Sequence, residues 1–532
     1  MTLISNGTIV DGSGRPGFVG DVVVEGDRIA DVRVRAEATG AASAAEAFET
    51  VIDATGHLVT PGFVDAHTHS DAYLVLEPSA PSKITQGITT EINGQCGGSV
   101  APRYGEARLS SDWAALLGER LTWHSLGEYR EVLAAAQPAV NTVQFVGHNT
   151  LRSSVVGYAA RPASADEQRE MERLLAIALD EGGWGLTTGL IYQPGRYSTP
   201  EEVTALARVA AAKGGFYATH MRSEGDRILE SIDEVLALVR ATGIRAEISH
   251  LKTGGRRNWG KIDAVLAKME AAVAAGDLLG SDRYPFCAAG TDLDVVLPDW
   301  AQEGAAKAET ERLNDPATRA RMVAELDADG RDWSTVMIGG VWSPENRGFC
   351  GRTVADVFAA EKGRFESVGD LVCSILARDG CKTGAFFFTM SEANLERILA
   401  EPWIVPGSDA SLRAPWGPLG ADHPHPRAYS TMPEFYRRLT AGPKPLATRE
   451  EAIARMTRVP AERFGLRGRG TLARGAFADI VVWREGDFAA RATYTSPHQF
   501  ASGVKSVLVN GVVTFSDGRF TGSRGGRFLE RN

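Results

Sequence analysis

Six residues of this chain have the chemistry of metal ligands and recur at like positions in its pattern of short apolar runs. The run Gly62-Phe63-Val64-Asp65-Ala66-His67-Thr68-His69 ends in two histidines with one residue between them. Alternate residues of a strand point to the same side, so His67 and His69 project together if the run is extended. A pair of converging imidazoles suits a divalent ion, and zinc is the commonest metal that takes such ligands. Cys96, His220, His250 and Asp409 each follow the end of another apolar run. Taken singly, each has a plainer reading as a small buried hydrophobe, a hydrogen-bonded core histidine or a helix cap. Together, at matching strand ends, they favour a metal site. The other histidines fit this pattern poorly. His57, His124 and His498 fall in turns or helix-like stretches, and His148 reads as core. His423 and His425 lie in a proline-interrupted loop and are expected to order it around Asp409.

The elements that must carry these residues are legible as a repeated unit. Apolar stretches at 62–69, 87–92, 142–147, 185–190, 215–219, 245–249, 278–282 and 403–407 alternate with longer amphipathic segments such as 164–182, 199–214 and 225–243. Eight such units predict an α/β fold, a distorted (β/α)8 barrel of the TIM type over 59–465, whose active site lies at the carboxyl ends of the strands. Hairpin signals at both chain ends predict a small β-sandwich domain from 1–58 and 466–532. The long interval after the seventh strand predicts an inserted subdomain at about 287–345. An Ala- and Glu-rich stretch from Arg35 to Glu49 reads as a surface loop or a short helix.

Composition narrows the class. A chain of 532 residues with 43% hydrophobic and 23% charged residues is that of a globular enzyme of more than one core. A net charge of -10 argues against nucleic acid or an anionic membrane as a partner, since both reward clustered Lys and Arg. Five irregularly spaced cysteines do not make a disulfide framework, and a reducing cytoplasm fits them.

The motifs themselves resemble a known family. Pro61-Gly62-Phe63-Val64-Asp65-Ala66-His67-Thr68-His69-Ser70-Asp71, Asn93-Gly94-Gln95-Cys96-Gly97, Thr219-His220-Met221-Arg222, Ile248-Ser249-His250-Leu251-Lys252 and Gly407-Ser408-Asp409 are similar to the amidohydrolase superfamily and, within it, to the N-acyl-D-amino-acid deacylases. The likeness runs over nearly the whole chain. Hydantoinase-like relatives bridge two metals with a carboxylated lysine on the fourth strand; here that strand reads Gly185-Leu186-Thr187-Thr188-Gly189-Leu190 and has none.

The resemblance implies a tight Zn2+ on Cys96, His220 and His250, with His67, His69 and Asp409 lining a second, weaker site. It implies that Asp409 takes the proton of the attacking water and returns it to the leaving amine. Lys252, Tyr192 and Tyr284 are similar to the residues that hold the substrate α-carboxylate. The implied substrate is a small-molecule N-acyl-D-amino acid. A neutral or apolar D-residue is expected, because the segment 291–300 lacks the arginine that meets an acidic side chain in relatives, though Arg283 or Arg413 could reach in. A dipeptidase for substrates ending in a D-residue and a catalytically inactive scaffold are the rival readings.

Overall fold

The computed structural model describes residues 1–35, 48–107, 109 and 113–531, so the stretch from Arg35 to Glu49 lies almost wholly outside the described residues. Eight short strands form the ring: Phe63–Asp65, Ile88–Asn93, Asn141–Gln144 continuing as Val146–Gly147, Gly185–Gly189, Phe216–His220, Arg245–Ile248, Leu279–Arg283 and Ile404–Pro406. Successive members pair in parallel. The third strand is broken, its first half pairing with the second strand and its last two residues with the fourth. Closure comes where Ala66 N–H donates to the Pro406 carbonyl at 3.0 Å and Thr68 bridges Ala410. Gly407 permits this closure: a Cβ there would stand 2.5 Å from an Asp282 carboxylate oxygen and 2.7 Å from the His67 Cβ.

The intervening helices follow the amphipathic stretches. Ala165–Asp180 starts on a capping box of Ser164 with Glu167, and Pro200–Ala212 starts on Thr199 with proline in its first turn. Their apolar faces, including Met171, Leu175 and Leu206, are buried. Inside the ring, Val64, Ile92, Val143, Phe145 and Phe216 meet Phe464 and Leu529, which plug the amino end of the barrel. Each such side chain contributes about 1.5–3 kcal/mol when withdrawn from water. The plug fixes the strands at one end and leaves their carboxyl ends to carry the site.

Strands from both chain termini join in one nine-stranded sheet, with Leu58–Pro61 pairing on one side with Thr2–Ile9 and on the other with Ile480–Trp483. Both arms of this sheet feed one apolar cluster, from Val22 and Val24 to Ile480 and Leu508. Its first segment therefore runs to Pro61 rather than stopping at 58, because the last strand before the barrel is hydrogen-bonded into it. The final residues leave the sheet: Thr142 N–H donates to the Arg527 carbonyl and Leu529 N–H to the Thr142 carbonyl, at 2.9 and 2.8 Å.

The insertion after the seventh strand is larger than the expected 287–345. Its three-stranded antiparallel sheet places Gly384–Phe387 between Ala289–Asp292 and Val336–Ile338. Leu371, Val372, Ile375 and Leu376 are buried in the same cluster as Leu293 and Met322. The segment cannot close its core before Phe387, which is why the shorter boundary fails. No helix among the described residues is long and apolar enough to cross a membrane, and all five cysteines are free.

Candidate metal centre

The six sequence-predicted ligands come together at the carboxyl ends of their strands. His67 Nε2, His250 Nε2 and His220 Nδ1 stand 3.3, 3.4 and 3.7 Å from the Cys96 Sγ. Asp409 Oδ1 lies 3.0 Å from His69 Nε2 and 3.4 Å from His67 Nε2. Two overlapping groups result, Cys96 with His220 and His250, and Cys96 with His67, His69 and Asp409. Cys96 belongs to both. The fourth strand, Gly185–Gly189, carries no lysine that could bridge the two groups.

The donor set fits zinc. Zn–S near 2.3 Å and Zn–N near 2.05 Å, at a tetrahedral angle, put sulfur and nitrogen about 3.6 Å apart. The three sulfur–nitrogen separations bracket that value. Burial opposes charge on Cys96, yet the surrounding imidazoles His67 and His250 hold its thiol well below the ordinary range, which favours the ligating thiolate. Burial likewise works against protonated histidines, but Asp409 pushes His69 up to about 9 and Glu224 pushes His220 up to about 9. Negative groups here outweigh the cations among them, the condition under which a divalent ion displaces protons from imidazole.

Carboxylates stand behind the rings. Glu224 Oε1 is 2.9 Å from His250 Nδ1 and Glu224 Oε2 is 3.3 Å from His220 Nε2, so one side chain faces the rear nitrogens of both imidazoles. Asp282 Oδ2 is 3.2 Å from His67 Nδ1, and Asp282 Oδ1 accepts the His250 backbone N–H at 3.1 Å. Such partners fix ring orientation and raise ligand basicity. Glu224→Gln is expected to weaken zinc retention about 10- to 100-fold, read by competition with a chelator of known affinity; unchanged affinity would mean that these contacts are incidental.

Three of the candidate residues hold a left-handed backbone. Cys96, His250 and Asp409 have φ of +52°, +38° and +49°, against nine non-glycine residues with positive φ among those described. Such conformations cost on the order of 1–3 kcal/mol each and persist where surrounding structure enforces them.

The comparisons with known proteins identify the family. The family model described as "Amidohydrolase family" matches residues 50–340 and 383–515. The N-acyl-D-glutamate deacylase of Alcaligenes xylosoxydans xylosoxydans is 36% identical over 533 residues, covering 100% of this chain and 96% of its own. This chain belongs to the N-acyl-D-amino-acid deacylases of the amidohydrolase family. A crystal structure of N-acyl-D-glutamate deacylase from Bordetella bronchiseptica, complexed with zinc and a phosphonate mimic of the tetrahedral intermediate, superposes with a TM-score of 0.82 at 32% identity, covering 100% and 99% of the two chains. A structure of D-aminoacylase, described for its binuclear metal centre, gives 0.81 at 34% with the same coverage.

Within this amidohydrolase, a cavity of about 1400 Å³ opens over Cys96, His69 and Asp409. Tyr192 lines it, with its ring 4.9 Å from that of His220. Lys252 and Tyr284 are buried just behind the wall. The Lys252 ammonium rests on the Glu224 carboxylate, 2.7 Å from His250 Nδ1. The Tyr284 hydroxyl has no hydrogen-bond partner among the described residues. Arg283 is buried and donates to the Phe286 carbonyl at 2.9 Å, whereas Arg413 reaches the cavity wall and pairs with Asp422 at 3.1 Å.

The histidines set aside by sequence stay outside the ligand cluster. His148 Nε2 meets Glu202 at 2.9 Å, His423 meets the Tyr494 carbonyl at 2.6 Å, and His498 meets the Tyr429 hydroxyl at 2.9 Å. His57 meets the Thr55 carbonyl at 2.9 Å and His124 stands 3.9 Å from Glu128. His425 meets the Ala288 carbonyl at 3.0 Å and accepts the Arg427 backbone N–H, ordering the loop beside Asp409.

Sequence reasoning missed Glu224, Asp282, Arg427 and Lys83. Glu224 lies four residues after His220, and Asp282 is an acid at the end of an otherwise apolar strand, signals that mark candidates without showing which ring each faces. Arg427 Nη1 stands 2.8 Å from Asp409 Oδ2. Burial would raise the Asp409 carboxyl, but the Arg427 charge and the neighbouring imidazoles hold it well below the usual carboxylate range.

Lys83 is fully buried and acts on the other side of the same residue. Its ammonium bonds Asp65 at 2.9 Å, Glu91 at 3.1 Å, the Ser408 hydroxyl at 3.1 Å and the Ala410 carbonyl at 3.0 Å. These last two flank Asp409, whose own N–H donates to the His67 carbonyl at 2.8 Å. Lys83 thus ties the first, second and eighth strands around Asp409. Because misplacing a reacting group by about 1 Å can cost about 10²-fold, Lys83→Met is expected to lower kcat by about tenfold or more with KM little changed. Folded content by circular dichroism checks that the protein is intact, and full kcat would show that the network does not position Asp409.

Proposed function

We propose that this deacylase carries its tight zinc on Cys96, His220 and His250 and uses Asp409 as the proton carrier for hydrolysis of N-acyl-D-amino acids. The observation that supports it most is the convergence of His220 Nδ1 and His250 Nε2 on Cys96 Sγ, with the Asp409 carboxylate adjoining. Zinc held there supplies Lewis acidity, activating water and polarising the acyl carbonyl. His67 and His69, with Asp409 and the shared Cys96, form the second and weaker position.

Asp409 Oδ1 faces the metal ligands while Oδ2 is pinned by Arg427, so Oδ1 is the atom that receives the water's proton. The same oxygen then delivers it to the amide nitrogen as the C–N bond breaks; an amine leaves poorly without it. One water is consumed. Its oxygen ends in the freed carboxylate and its protons on the amine side.

Lys252, Tyr192 and Tyr284 form a corner for the substrate α-carboxylate, and Arg427 adds to it, since its guanidinium lies 4.7 Å from the centre of the Tyr284 ring. Segment 291–300, which borders the cavity at Thr291, Asp292 and Asp294, carries no arginine to meet a second carboxylate, and this supports a neutral or apolar D-residue. The five unpaired cysteines suit a reducing compartment such as the cytoplasm.

A panel of acetyl-D- and acetyl-L-amino acids, together with Leu-D-Leu, tests this reading on protein whose zinc content is measured in the same sample. Turnover of acetyl-D-leucine well above its L-enantiomer is expected. Equal turnover of both enantiomers, or none by zinc-loaded protein, would overturn it, and a strong preference for Leu-D-Leu would favour the dipeptidase.

A further inference from the structure

The cavity has two unlike sides, and only one is accounted for by the amino-acid half of the substrate. On the side of the fourth, sixth, seventh and eighth strands, Tyr192 and Arg427 line the cavity with Lys252 and Tyr284 buried behind them, together with the insertion. The α-carbon of the substrate places its carboxylate, side chain and amide in diverging directions. With the carboxylate held in that corner and the scissile carbon over Cys96, the acyl chain must run the opposite way, past the ends of the first three strands.

That opposite side is an apolar arm. Tyr73, Leu109, Trp113, Leu116 and Leu121 line it in continuity with Cys96 and His69. Tyr73, Leu109 and Trp113 are buried and back this wall, so the surface it offers to a ligand comes mainly from the half-buried Leu116 and Leu121. The Tyr73 and Trp113 rings meet edge to face at 6.1 Å. Among the described polar groups of this lining, Ser99 and one Arg103 nitrogen are engaged, whereas Gln95 Oε1, Asn149 Oδ1 and Arg103 Nε have no hydrogen-bond partner. Ser99 Oγ donates to the Ala101 carbonyl and accepts the Gly147 N–H, and an Arg103 guanidinium nitrogen donates to the Trp123 carbonyl at 2.7 Å. The whole cavity, at about 1400 Å³, exceeds the roughly 300–1,000 Å³ of an ordinary small-ligand site. An acetyl group would leave this arm unfilled.

We infer that the arm between the ends of the first three strands is an acyl-chain subsite, and that the preferred substrates carry a medium-length alkyl or an aryl acyl group rather than acetyl. The inference rests on the deacylase reading. Each methylene withdrawn from water is worth about fourfold in binding, and octanoyl has six more methylenes than acetyl. The arm is partly open, so a gain of about tenfold or more is the expected floor.

The test compares kcat/KM for N-octanoyl-D-leucine, N-phenylacetyl-D-leucine, N-succinyl-D-leucine and N-acetyl-D-leucine, all below their micellar concentrations, on zinc-loaded protein. Octanoyl and phenylacetyl substrates are expected to exceed acetyl by about tenfold or more. Leu116→Glu and Leu121→Glu are expected to collapse that ratio, because a charge in the arm repels alkyl chain far more than methyl. Acetyl-D-leucine turned over as well as or better than octanoyl would overturn the subsite while leaving the deacylase reading intact. N-succinyl outrunning octanoyl would overturn its apolar character and assign Arg103 to an acyl carboxylate. Failure of all four substrates would overturn the deacylase reading and the subsite with it. A ratio unchanged in both variants would place the acyl chain elsewhere.

Discussion

Cys96→Ala is expected to empty the tight position and to lower kcat/KM by about a thousandfold or more. The sulfur is the one candidate ligand common to the two groups, 3.7 and 3.4 Å from the nitrogens of His220 and His250 and 3.3 Å from that of His67. Removing it leaves a pair of imidazoles for the tight position, one ligand short of the three that catalytic zinc sites use. The contrast is His67→Asn, which is expected to impair turnover while the tight position stays filled. Zinc counted per chain after gel filtration, alongside kcat/KM, reads both results. A Cys96→Ala protein that kept a full zinc would show that the imidazoles and Asp409 suffice. Complete zinc loss from His67→Asn would reverse the order of the two positions.

Asp409→Asn is expected to keep the tight zinc and lose about 10²- to 10⁴-fold in kcat. Asparagine is nearly the same size, so the loop between the eighth strand and His425 should survive. What goes is the acceptor at Oδ1 and the charge opposed to Arg427. Removing one member of a buried pair leaves the guanidinium uncompensated, a destabilising change, so thermal unfolding must be followed beside kinetics. Near-normal turnover with zinc retained would reduce Asp409 to a ligand. Loss of the tight zinc would place it among the ligands of that position instead.

Much of the barrel was readable because its strands are short apolar runs set between amphipathic helices with clear caps, such as Ser164 with Glu167. The six ligand candidates were readable because strand ends in such a ring converge wherever the loops run. The insertion's far boundary was not, since Gly384–Phe387 pairs with strands about fifty and ninety-five residues earlier and no local pattern records a partner at that separation. Glu224 and Asp282 were missed because an acid near a histidine earns a role only when the ring orientation is known. Lys83 was missed for a related reason. A lysine in Pro81-Ser82-Lys83-Ile84 looks like a solvated helix end, and only the fold shows two carboxylates and the Asp409 loop around it.

The left-handed backbones at Cys96, His250 and Asp409 bear on how this scaffold responds to selection. Glycine is the residue that adopts such φ values without a steric penalty, so substitutions that relax the backbone at these positions each delete a proposed ligand or the proposed proton carrier. Relief of backbone strain and turnover therefore pull in opposite directions at Cys96 and His250, whereas at Asp409 the buried Arg427 charge opposes any such relief. A mutant library sorted for survival at high temperature alone would be enriched in sturdy, inert proteins, and any effort to toughen the enzyme must look to the helices and the terminal sheet.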